Sequence, residues 1–165
     1  MRSLALFGVL AILALLLQTA VLPLLTFGRG APDLLLILCV YFGLRIHSVG
    51  GAIGAFVLGY LQDAVSGSIV GINAFAMSLV YAGVYLTSRH LWVDNAISKI
   101  VVVFCAAVVK TAAVLMLVTL FVAGGQAWST RLPQMTVEAV LAALFSPPVF
   151  AILARTQELA VIEEP

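Results

Sequence analysis

GYLQDAVSGSIVGINAF, residues 59–75, sets Gln62, Asp63 and Asn73 into a chain that is otherwise close to pure hydrocarbon. A carboxylate and two amides in such surroundings need either water or partners. The surroundings are unusual for a soluble protein. Of 165 residues 64 % are hydrophobic and 9 % charged, against roughly half and a quarter in a soluble domain. A water-facing surface cannot be built from this balance, so the solvent is lipid. The sequence is that of an integral membrane protein with one membrane domain over residues 1–165.

Working outward from the quoted stretch, apolar windows of about 20 residues are the unit to look for. They fall at about 4–25, 33–47, 50–62, 71–88, 97–122 and 137–154. This predicts an all-α, six-helix transmembrane bundle. The second and third windows are short, because about 12–14 helical residues reach only roughly 20 Å. They are either short spans screened by neighbours or one re-entrant hairpin. Pro23 and the GRGAP loop around Arg29 end the first window, and Asp33 after Pro32 is placed to cap the second helix. Pro147–Pro148 interrupts the sixth and predicts a kink repaired by neighbouring helices. Residues 1–20 imitate a secretory signal, but the apolar run continues to Leu25 and Gln18 spoils the cleavage pattern, so a retained span is expected.

Orientation follows from the cations in short loops. With the N-terminus in the cytoplasm, Arg2, Arg45, Arg89, Lys99 and Arg155 fall inside, and Arg29 and Arg131 outside. Both termini are then cytoplasmic and the quoted loop faces outward. A net charge of +1 and the lack of any basic cluster point away from nucleic acid.

Each polar feature has two readings. Asp63 is either a coupling-ion or proton site, as intramembrane acids often are, or a structural acceptor for backbone N–H groups of the turn Ser66-Gly67-Ser68 that caps the fourth helix. Gly67 and Gly71 supply conformations closed to other residues, and Asn73 can bond back to the loop. Gly50, Gly54, Ala55 and Gly59 form a small-residue face, for packing inside this protein or for docking a partner's helix. Lys110, deep within the fifth window, is expected to face the bundle interior and be paired. Asp63 is the first choice of partner, with Asp33, Gln62 or carbonyls freed by Pro147–Pro148 as alternatives.

Catalysis is not expected. The three aspartates, 33, 63 and 94, lie in different loops or helix ends, and His47 and His90 sit beside Arg45 and Arg89. No nucleophile–base pair, metal-ligand spacing or phosphate-binding glycine loop appears, so neither metal nor cofactor is implied. Cys39 and Cys105 read as small buried hydrophobes.

PDLLLILCVYFGLR (32–45) followed by GGAIGAFVLGYLQDAVSGSIVGINAF (50–75) resembles the central signature of the bacterial rod shape-determining protein family MreD. The resemblance is closest over about 32–88. Carried over by position, the signature falls on Pro32, Asp33, Gly54, Gly59, Gln62, Asp63, Ser66, Gly67, Gly71 and Asn73. It implies a non-enzymatic subunit of the cell-elongation and peptidoglycan-synthesis machinery in the inner membrane. That subunit binds MreC directly and, through it, the elongation transpeptidase, with MreB filaments beneath. The family's fold is similar to the substrate-binding subunit of energy-coupling-factor vitamin transporters. The rival reading is therefore a small-molecule-binding subunit with an outward pocket near Asp63 and the 123–136 loop, for which Gln62, Asn73, Gln126, Trp128 and Arg131 are the available groups.

Overall fold

The structure, a computed structural model, describes residues 2–21, 32–45, 49–67, 69–88, 95–121 and 127–162, with side chains over 8–20, 32–45, 49–67, 69–88, 95–121 and 135–155. Arg29, His47, Ser68, Arg89, His90, Asp94, Gln126, Trp128 and Arg131, which carried parts of the sequence reading, lie outside these side chains.

The described chain is helical throughout. Helix α1 covers Arg2–Leu16 and widens into a π-helical turn over Leu17–Val21. It is followed by α2 (Leu34–Arg45), α3 (Val49–Ser66), α4 (Ile72–Ser88), α5 (Ala96–Phe121) and α6 (Ala127–Ile162). Three segments, Val49–Ser66, Ala96–Phe121 and Met135–Arg155, are long and apolar enough to cross a bilayer. Large apolar side chains stand exposed on the five outer helices, among them Leu13, Phe56, Leu79, Met116 and Ile152. A surface of that kind suits lipid and not water.

The centre belongs to α2. Leu34 through Gly43 are all buried, with Ile37, Cys39 and Val40 fully so. A helix hydrophobic on every side is an interior helix. It contacts all five of the others. At 12 residues it reaches about 18 Å, and it is short because its sides meet protein.

Two expectations are corrected. The third window does not stop at Gln62–Asp63: the helix continues to Ser66, and 18 residues give about 27 Å, close to a full span. The sixth window, 137–154, matches the apolar span Met135–Arg155, but it lies within a longer helix, Ala127–Ile162, that runs unbroken through Pro147–Pro148. Pro147 lacks the N–H that Ala143 would have accepted. The fully buried Ser146 replaces it by donating its Oγ–H to Ala143 O at 2.7 Å. For Ala143 O the repair is made from within the helix.

Helices α3 and α4 meet most closely at Gly59. A Cβ there would lie 2.4 Å from Asn73 O and 2.5 Å from Ala74 Cα, so no side chain fits against that backbone. Gly54 faces the Phe42 ring of α2. The small-residue face of α3 thus packs inside this chain at Gly54 and Gly59, which removes those two from a face offered to a partner.

Candidate functional site

Two buried carboxylates organise one end of the bundle, where α1 and α3 finish and α2 and α4 begin. The first is Asp63, 1 % exposed, on the last turns of α3. The close crossing at Gly59 carries it over the start of α4. There its Oδ2 accepts Gly71 N–H at 2.9 Å and Ala74 N–H at 3.1 Å, while Oδ1 accepts Asn73 N–H at 3.1 Å and Asn73 Nδ2–H at 3.0 Å. The first N–H groups of a helix have no partner within it, and the dipole there favours negative charge. Asp63 answers both needs for α4 from a different helix. Gly67 and Gly71 turn the chain between α3 and α4 at φ +62° and +105°, in the left-handed region that side chains disfavour. Ser66 Oγ donates to Asp63 O at 3.4 Å. Among the described residues the donors to the carboxylate are Gly71, Asn73 and Ala74, and Ser68 of the 66–68 turn lies outside them.

The second carboxylate is Asp33, beside the fully buried Pro32 at the head of α2. Its Oδ1 accepts Leu36 N–H at 3.0 Å, a helix cap three residues on. Its Oδ2 takes the ammonium of Lys110 in a buried ion pair and Gln62 Nε2–H at 3.4 Å. Lys110 also donates to Gln62 Oε1 at 2.8 Å. Asp33, Gln62 and Lys110 therefore form a closed ring that ties α2, α3 and α5. Lys110 does face the interior, but its partner is Asp33 and not Asp63, whose two oxygens are already filled by four neutral donors.

Gln18, in the π-helical turn of α1, completes the cap of α2 by accepting Leu35 N–H at 3.4 Å. A lone amide in a leucine run is a usable signal for such a role, yet sequence reasoning saw in it only a spoiled cleavage pattern. Glu138 was passed over altogether.

Both matter because the end of the bundle is hollow. A cavity of about 1020 Å³ is lined by Asp33, Gln62, Lys110 and Glu138, by Gln18, Thr19, Asn73 and Thr111, and by apolar walls that include Val65, Val118 and Met135. Two acids and a lysine converge there, which their separation in sequence did not suggest. Among the described residues no group of three side chains is placed to hold a metal ion.

A helical bundle with lipid-compatible flanks, three bilayer-length helices and a buried ion pair at its polar end is a polytopic membrane protein. The chain matches the family model of rod shape-determining protein MreD over residues 1–156, and it belongs to that family. No curated protein and no solved structure matches it. It is thus a rod-shape-determining membrane protein, of a family known for structural roles and not for catalysis.

Proposed function

We propose that this chain is a non-enzymatic scaffold subunit of the cell-elongation machinery in the bacterial plasma membrane, binding MreC directly and the elongation transpeptidase and MreB indirectly. The family match over residues 1–156 carries this reading. The use of the buried polar groups agrees with it. Asp63 is fully occupied in holding α4, and the Asp33–Gln62–Lys110 ring in holding three helices together. Arg45, Lys99 and Arg155 lie towards the ends of their helices away from the cavity, in keeping with cytoplasmic termini and an outward-facing hollow.

Affinity purification in mild detergent after co-expression tests the reading. MreC should co-elute with the tagged chain, and a monodisperse chain that never retains MreC would overturn it. External labelling of a cysteine at position 90 would reverse the orientation.

One observation keeps a second reading alongside the first. The cavity stands near Asp63, where a small-molecule-binding subunit would need it, and Gln62 and Asn73 both line it. The two readings are compatible in one protein.

A further inference from the structure

The cavity wall holds three described ionisable groups, and they do not balance. Asp33 and Lys110 neutralise one another, with Gln62 closing the ring. Glu138, half-buried on α6, makes no hydrogen bond or ion pair with the described residues. Lys110 keeps a third N–H beyond its two acceptors, and the remaining unused capacity on the wall is neutral. Thr111 Oγ and Gln18 Nε2 make no hydrogen bond among the described residues, and neither does Asn73 Oδ1. Among the described residues a guest therefore meets one unpaired carboxylate, amide and hydroxyl groups, and an ammonium whose charge Asp33 neutralises.

We infer that the cavity binds a ligand carrying a primary ammonium group, held by Glu138, and that it discriminates against anions. The cause is electrostatic. Over the described residues of the wall the charges sum to one carboxylate, which favours a cation and repels a phosphate or carboxylate. The Asp33–Lys110 pair does not change that sign, because its two charges cancel. A primary ammonium offers three N–H donors, and the wall holds acceptors for them in Glu138, Thr111 Oγ and Asn73 Oδ1. At about 1020 Å³ the space exceeds what a bare metal ion requires and falls in the range of organic ligands. Such an ammonium occurs on the headgroup of an aminophospholipid and on a free small amine. The apolar walls suit the first, and the same chemistry serves both. The inference depends only on the cavity being occupied, so MreC binding can succeed or fail without affecting it.

The test uses the full chain. Native mass spectrometry of protein released from bicelles with equal phosphatidylethanolamine and phosphatidylglycerol should show the ethanolamine lipid retained about tenfold over the glycerol lipid. Glu138→Gln should erase that preference and Glu138→Asp should keep it. Free ethanolamine, tested in detergent, assigns the source. If it raises the melting temperature and acetate does not, the cavity takes a free amine. If only the lipid is retained, the headgroup is the ligand. Equal or greater retention of phosphatidylglycerol would overturn the inference, as would a preference that survives Glu138→Gln. The wild-type lipid preference decides the matter even where a variant fails to stay monodisperse.

Discussion

Asp63 and Asp33 do the same local task under opposite conditions. Each carboxylate receives the first N–H groups of a helix, α4 for Asp63 and α2 for Asp33. Asp63 is met by four neutral donors and is 1 % exposed. Asp33 has one backbone donor, one amide and one ammonium, and it stands on the wall of a cavity. The difference teaches how a buried charge becomes either fixture or device. A charge balanced by backbone dipoles is locked to the fold. A charge balanced by one side chain can be rebalanced by changing that side chain.

The largest effect that bears on this contrast is expected at the crossing that delivers Asp63. Gly59→Leu drives a side chain into the Asn73–Ala74 backbone, so the variant should fail to give a monodisperse peak on size exclusion in detergent. A well-folded Gly59→Leu protein would break the account of that end of the bundle.

Next comes Asp63→Ala, which leaves several N–H groups without an acceptor. Loss of a buried, multiply bonded charge of this kind should cost about 3–5 kcal/mol in reversible unfolding. It should not be relieved by Lys110→Met, because the two residues share no partner; the losses should add.

Lys110→Met sharpens the other half. Alone it strands Asp33 and should cost about 3 kcal/mol, whereas Lys110→Met with Asp33→Asn should recover a good part of that loss. A recovery seen instead with Asp63→Asn would reassign the pair. The smallest effect is expected for Gln18→Ala, at about 1 kcal/mol, for one N–H of α2 left without its acceptor. Thermal unfolding with and without the substitution measures it.

Much of the architecture is legible in the sequence, since apolar windows broken by Arg, Pro and Gly mark where helices lie. The ends of α3 and α6 were harder. Gln62 and Asp63 look like a terminus because polar residues end most spans, but each has a partner that makes it tolerable inside a helix. Pro147–Pro148 looks like a break because its repair, the hydroxyl of Ser146, is a single small residue with no pattern of its own. In the polar end, the cap of α4 by Asp63 is readable locally from Asp63, Gly67, Gly71 and Asn73. The partner of Lys110 is not, because the choice among Asp33, Asp63 and Gln62 depends on how α2, α3 and α5 sit around one another. Glu138 is invisible for the same reason: its meaning comes from the cavity.

The interior position of α2 also bears on how the protein is made. A segment of 12 residues spans about 18 Å, and left alone in a bilayer it would be mismatched by a third or more of the hydrocarbon thickness. Its polar head, Asp33, needs Gln62 and Lys110, which leave the ribosome 29 and 77 residues later. During synthesis α2 must therefore wait at the translocon or in the interface until α3 and α5 arrive. The helix at the centre thus settles only after helices that follow it in the chain.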